Sequence, residues 1–310
     1  MIKSTFYTAK SITGKSHLTN GKPNQDSVFV ELLENNHLIA VVADGHGSPK
    51  CFRSHKGSLF AVESFVEVLK KLDAKFKDIE VASEFEKNIP IQVVELWKEK
   101  VRKDIDLFPY ASFELNEDLQ NNEFLPYGST LLGCYIHSQF GVFIQIGDGE
   151  MFALFNTGET KQIVEKDNRL NGIETTSICS AGAENDFRTK VMEFSLENYP
   201  KLIIMGSDGL TESYASNVEL YKWCDDLNDF LLTDGSEFIE KNLPQWLDEV
   251  STNGTCDDIS LVAIGLDYNV QSEAHNSIPD IESEHVIEVK KYKNIFTKTI
   301  SKVFSINHKI

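Results

Sequence analysis

The sequence predicts an α+β fold in which antiparallel sheet is layered with helices, and three observations carry that expectation. Short apolar strands follow one another closely through 131–155, separated by tight turns such as Gly147-Asp148-Gly149, which is the pattern of antiparallel pairing. Between 57 and 72, apolar residues recur at helical spacing, with Phe60, Phe65, Val68, Leu69 and Leu72 on one face, so a helix is expected to lie on that sheet. Two further apolar runs each end abruptly in Asp-Gly, at Asp44-Gly45 and Asp208-Gly209, as buried strands do where they leave a core.

In chain order, the first stretch with strand character is Ser27-Val28-Phe29-Val30. A turn at Glu34-Asn35-Asn36 leads to the run Leu38-Ile39-Ala40-Val41-Val42-Ala43, and the two together predict a hairpin. The second run opens into Asp44-Gly45-His46-Gly47-Ser48. The region 73–123 is charged and predicted to be largely helical, with Pro90 and Pro109 as breakers. Strands are expected at 131–137, 141–146, 151–155, 201–205 and 259–264, the last entered directly from Asp257-Asp258. Polar residues at 269–289 read as a linker after a domain spanning 1–268, and 290–310 as a basic tail.

Composition narrows the function. A formal net charge of -18 argues against the clustered Lys and Arg that a phosphate backbone requires, so no nucleic-acid partner is expected. The five cysteines are spread out and form no CxxC pair for zinc or disulfide exchange, so they read as reduced thiols. No apolar run suits a signal peptide or a bilayer span, and a cytoplasmic address follows as the default expectation.

Aspartates at strand ends suit hard divalent cations, which take oxygen ligands. The strand fixes the backbone, the short side chain has few rotamers, and a following glycine allows close approach of a carbonyl. Asp44 and Asp208 leave strands in this way, while Asp257-Asp258 enter one, and antiparallel strands bring an exit and an entrance to the same sheet edge. One such Asp-Gly is an ordinary turn; their recurrence, with Asn24-Gln25-Asp26 and Gly147-Asp148-Gly149, points to a shared metal site.

These motifs, in order through most of 12–265, resemble the PPM or PP2C-type metal-dependent protein phosphatases, and more closely their bacterial branch. Val42-Ala43-Asp44-Gly45-His46-Gly47 is similar to the DGHG signature, Tyr127-Gly128-Ser129-Thr130 to the segment opening the central strands, and Ile146-Gly147-Asp148-Gly149 to the GD motif. Ser207-Asp208-Gly209-Leu210 resembles the SDG motif, and Cys256-Asp257-Asp258-Ile259-Ser260 the closing D-[ND]-[IM]-[ST]. The resemblance implies a four-layer α/β/β/α sandwich of two antiparallel sheets flanked by helices. It also implies a centre of two or three Mn²⁺ or Mg²⁺ ions. Asp44 would bridge two of them, the Gly45 carbonyl would ligate one, Asp208 and Asp257 the other, and Asp26 would act through metal-bound water. Asp148 and Glu212 match positions that help hold a third. The expected reaction is hydrolysis of phosphoserine or phosphothreonine in a phosphoprotein, the product of a Ser/Thr kinase, by water activated between metals about 3.5–4 Å apart. His46 would protonate the leaving oxygen.

Two departures stand out. The arginine that grips phosphate in many relatives is missing from His17-Leu18-Thr19-Asn20-Gly21-Lys22-Pro23, leaving His17, Lys22 and Arg53 as candidates, though lysine offers a point charge where arginine offers a fork. Gln25 replaces a common glutamate, so one metal is expected to be held more loosely. A catalytically weak pseudophosphatase that binds phosphoproteins is the alternative. A HAD-type phosphotransferase would need a DxD motif, which Asp44-Gly45-His46 lacks. In the tail, Tyr292, Ile295, Phe296, Thr299, Ile300, Val303 and Phe304 share a helical face, with Lys291, Lys298 and Lys302 elsewhere. Such a basic amphipathic helix packs on its own domain, docks a protein partner or lies on a membrane surface.

Overall fold

The computed structural model describes residues 2–167 and 175–268. The linker and amphipathic tail expected at 269–310 lie outside the described residues. Among the described residues ten strands form two five-stranded sheets, antiparallel throughout. In chain order the elements are β1 (Ile2–Ile12), α1 (Lys15–Asn20), β2 (Ser27–Leu32), β3 (Leu38–Ala43), α2 (Ser54–Asp73), α3 (Ile79–Phe85), α4 (Asn88–Leu107), α5 (Glu117–Asn121), β4 (Leu131–Ile136), β5 (Phe140–Ile146), β6 (Glu150–Phe155), β7 (Thr160–Gln162), β8 (Arg188–Glu193), β9 (Pro200–Gly206), α6 (Asp208–Thr211), α7 (Asn217–Thr233), α8 (Ser236–Asn253) and β10 (Ile259–Tyr268). One sheet has the order β1-β10-β9-β6-β7 and the other β2-β3-β4-β5-β8.

Strand β3 shows why its run is apolar without interruption. Leu38, Ala40 and Val42 face the layer between the sheets, where they meet Leu132, Met151, Met205 and Val262. Ile39, Val41 and Ala43 face the opposite way, into a core with Phe65 and Leu69 of α2 and Trp97 of α4. A strand buried on both faces has no polar side to alternate with. Helices α7 and α8 cover the outer face of the other sheet, packing on β6, β9 and β1.

The predicted hairpin is β2–β3, in register from Ser27 opposite Ala43 to Leu32 opposite Leu38, with Asn36 in the left-handed conformation at the turn. Two expectations are corrected. The first strand is not Ser27–Val30 but β1, which pairs with β10 along its length. Pro90 does not break a helix: it is the third residue of α4, where an amide hydrogen has no intrahelical acceptor to lose. Pro109 does lie just beyond the end of α4. All five cysteines are unpaired. No described helix is long and apolar enough to cross a membrane.

Candidate metal centre

At one end of the sandwich, strand ends from both sheets converge on a cleft of about 270 Å³. Its wall includes His17, Asp44, Gly45, His46, Asp148, Asp208 and Asp257. The segment after β3 is held in place by the segment before β4. The Asp44 amide donates to Thr130 Oγ1 (3.1 Å), and the Asp44 carbonyl accepts from the Thr130 amide (2.8 Å) and from Ser129 Oγ (2.8 Å). The His46 amide donates to the Gly128 carbonyl at 3.1 Å. Tyr127-Gly128-Ser129-Thr130 is thus the clamp on Asp44-Gly45-His46, which its sequence did not announce.

Glycine is required at two of these positions by close approach. A Cβ on Gly45 would lie 2.6 Å from the Gln25 carbonyl oxygen and 2.7 Å from that of Ser54. One on Gly128 would lie 2.7 Å from the His46 ring. Tight backbone on both sides leaves the Asp44 side chain and the Gly45 peptide facing the cleft.

The carboxylates carry an electrostatic debt. Both oxygens of Asp26 and Oδ1 of Asp208 are buried without a hydrogen-bond partner. The Ser260 and Ser207 hydroxyls lie near Asp26 without completing a hydrogen bond to either oxygen. Burial pushes the Asp26 carboxyl up to about 8, and the Asp258 and Asp208 charges add to the shift. Burial likewise raises Asp44, together with repulsion from Asp26 and Asp208, and it raises Asp208 itself. Glu212, exposed just after α6, is raised by partial burial and then by Asp208, Asp148 and Asp257. Burial lowers the His46 imidazole, opposed by the Asp148 charge.

No lysine or arginine is among the described residues lining the cleft. Crowded oxygen donors with orphaned buried atoms and no basic partner fit hard divalent cations, which would satisfy those atoms and relieve the repulsion. The donor set therefore suits Mn²⁺ or Mg²⁺.

The adjacent acids 257 and 258 separate clearly. Asp258 is 3% exposed, and its carboxylate accepts from the Gly14 amide (2.7 Å), the Gln25 amide (2.6 Å) and His17 Nδ1 (2.9 Å). Asp257 is half exposed on the cleft, and among the described residues its carboxylate accepts only from the following amide at 2.9 Å. Asp258 is a structural anchor that sequence reasoning passed over; its partners lie more than 230 residues away, so no local pattern marks it.

Of the three basic candidates for holding phosphate, only His17 reaches the cleft. Lys22 is exposed beyond the left-handed Gly21 that ends α1 and is not part of the wall. Arg53 is a strut. Its guanidinium donates to the Phe108 carbonyl (2.7 Å) and the Tyr127 hydroxyl (2.8 Å), and it stacks 4.6 Å from the Tyr110 ring centre. Tyr127 in turn donates to Asp104, which also binds Lys56. Gln25, where a looser hold on one metal is expected, lines the cleft; its Nε2 donates to Ser54 Oγ and its Oε1 is buried without a hydrogen-bond partner. Thr175 and Ser48 also line the cleft; they carry no sequence signal.

The fold is shared with solved phosphatases. The catalytic domain of the serine/threonine phosphatase PstP, in complex with two manganese ions, superposes with a TM-score of 0.54 at 17% identity over 86% of this chain and 99% of that one. Stp1 from Staphylococcus aureus gives 0.53 at 16% identity over 86% and 97%. A bacterial serine phosphatase gives 0.55 at 15% identity over 85% and 98%. No curated protein sequence matches. The family profile described as Protein phosphatase 2C matches residues 13–248, and the chain belongs to that family.

Proposed function

We propose that this chain is a Mn²⁺- or Mg²⁺-dependent phosphatase of phosphoserine and phosphothreonine in proteins, working at a binuclear centre in the cleft. The observation that carries the reading is the convergence of Asp26, Asp44, Asp208 and Asp257 from four separate chain segments, with buried oxygens left unpaired. Asp44, central among the acids, would hold the ions together with the Gly45 carbonyl, Asp208 and Asp257, all of which line the cleft. Asp26 supports the centre from behind the wall. Asp148 and Glu212, at the outer edge, suit a third and weaker ion.

Bound there, divalent ions supply the acidity that makes water nucleophilic near neutral pH and the positive charge that offsets the phosphate. The protein's own residues do the rest. The clamp from Gly128 to Thr130 keeps the acid set from collapsing or spreading, so little reorganisation is needed during reaction. His46, its amide fixed on Gly128 and its ring within the field of Asp148, which favours the protonated form against the burial that disfavours it, would in that form deliver a proton to the departing serine or threonine oxygen while water's oxygen bonds to phosphorus, and would regain one from solvent. The products are the free hydroxyl and inorganic phosphate. The half-open cleft accepts a phosphorylated side chain from a protein surface.

The test is turnover of a phosphothreonine peptide with and without Mn²⁺. Activity is expected only with metal and is expected to vanish in EDTA and in Asp44→Asn. Metal binding without turnover would replace the enzyme by a phosphoprotein-binding module of the same fold.

A further inference from the structure

His17 is the cleft residue whose role neither the acid set nor the clamp explains. It is 7% exposed, so the protein has spent burial on it. Its Nδ1 lies 2.9 Å from Asp258 Oδ2, and that carboxylate already accepts two backbone amides. Asp258 is acceptor in all three contacts, so the imidazole proton sits on Nδ1. A ring carrying its proton there has Nε2 on its other edge, and a metal ion would take the Nε2 lone pair in place of a second proton. Nε2 faces Asp257 Oδ1 at 3.6 Å, too long for a hydrogen bond.

A buried carboxylate fixing one ring nitrogen while the other points at an open acidic oxygen is the arrangement found behind metal-bound histidines. Two neighbouring ligands each about 2.1 Å from an ion stand about 3.0–3.4 Å apart, depending on the geometry. The observed 3.6 Å exceeds the tetrahedral figure by about 0.2 Å and the octahedral one by about 0.6 Å, a gap that a small rotation of the half-exposed Asp257 side chain closes. Ligand atoms from His17, Asp257 and Asp258 all lie within 4.8 Å of one another, and because Asp258 is buried and engaged on both oxygens by its three donors, the open pair is His17 and Asp257.

We propose that His17 Nε2 ligates the divalent ion held by Asp257, placing a nitrogen donor in an otherwise oxygen-donor centre and biasing it toward Mn²⁺ and related transition ions over Mg²⁺. This rests on the metal-centre reading above. Imidazole binds first-row transition ions well and contributes little to Mg²⁺, which prefers oxygen and keeps its water. Asp258 acts through the ring as a positioning residue. His17 is then occupied as a ligand, and gripping the substrate phosphate falls to the ions.

The test uses the full-length protein with Mn²⁺ as the probe and does not depend on turnover. Electron spin echo modulation of bound Mn²⁺ is expected to show coupling to a directly bound ¹⁴N, converted to the ¹⁵N pattern by histidine-selective labelling. The coupling is expected to disappear in His17→Gln and to persist in His46→Gln. By calorimetry, His17→Gln is expected to weaken Mn²⁺ at this site about 10–100-fold and to lower the preference for Mn²⁺ over Mg²⁺ about tenfold. The wild-type spectrum stands even where a variant fails to fold. Mn²⁺ bound with no nitrogen coupling would overturn the assignment while leaving the metal centre intact. Coupling lost in His46→Gln and kept in His17→Gln would also overturn it. No Mn²⁺ binding at all would defeat both readings.

Discussion

Replacing Asp258 by alanine is expected to damage the fold, while replacing its neighbour Asp257 by asparagine is expected to damage only the metal site. The Asp258 carboxylate accepts three hydrogen bonds of 2.6–2.9 Å, from the amides of Gly14 and Gln25 and from His17 Nδ1. Hydrogen bonds to a charged group contribute about 1.5–3 kcal/mol each, so the gross loss is about 4.5–9 kcal/mol. Release of the buried charge from its desolvation cost offsets part of it, and breaking comparable buried ionic contacts costs about 3–5 kcal/mol. A net loss of about 4 kcal/mol follows, equivalent to a fall in Tm of about 8–16 °C for a domain of this size. Asp257 accepts only the Asp258 amide, which an asparagine oxygen can still accept, so Asp257→Asn should move stability by less than about 0.5 kcal/mol. The assay is thermal unfolding in EDTA paired with Mn²⁺ titration. An Asp258→Ala protein with unchanged Tm, or an Asp257→Asn protein with unchanged Mn²⁺ affinity, would refute the separation of roles.

The acid set predicts an inverted pH response. Asp26 is raised from an ordinary value of 3.8 to about 8 in the fold, so between those limits the folded state binds the extra proton and the metal-free protein loses stability as pH rises, at up to about 1.4 kcal/mol per pH unit from this group. Thermal melts in EDTA from pH 5 to 8 should show that decline, reduced in Asp26→Asn and reversed by saturating Mn²⁺. Arg53→Ala should cost about 2 kcal/mol by freeing the Phe108 carbonyl and Tyr127, yet leave the KM for a phosphopeptide unchanged; a KM raised tenfold would restore Arg53 as a phosphate ligand. Gly57→Ala places a Cβ 1.8 Å from the Tyr127 carbonyl oxygen, so about 3 kcal/mol of stability and much of the Mn²⁺ affinity should be lost together, as the clamp shifts. His46→Ala should slow phosphopeptide hydrolysis at least tenfold more than aryl phosphate hydrolysis, whose leaving group needs little protonation; equal losses would remove His46 from the proton's path.

What could be read from the sequence was what is encoded locally. A run such as Leu38–Ala43 ending in Asp-Gly displays its burial and its exit in consecutive residues, and the acids of the cleft are legible for that reason. Strand β1 is not, because an edge strand shows solvent half of its side chains, and Lys3, Lys10 and its serines and threonines dilute the pattern. Arg53 looked available because its partners, Phe108 and Tyr127, are 55 and 74 residues away. The choice between Asp257 and Asp258 lies in residues 14, 17 and 25, which only the closed fold brings near. Pro90 misled because its meaning depends on where α4 begins, a boundary set by packing of Ile89 and Val93.

The pairing of the first strand with the last also governs when the enzyme comes into being. Among the described residues strand β1 pairs only with β10, and the anchor at Asp258 fastens the turn after β1 to the segment that enters β10. A ribosome must therefore deliver residues 257–268 before the opening residues can settle and before the acids are brought together. Until then the carboxylates that line the cleft stay apart along the growing chain, because the contacts that gather them span most of the domain.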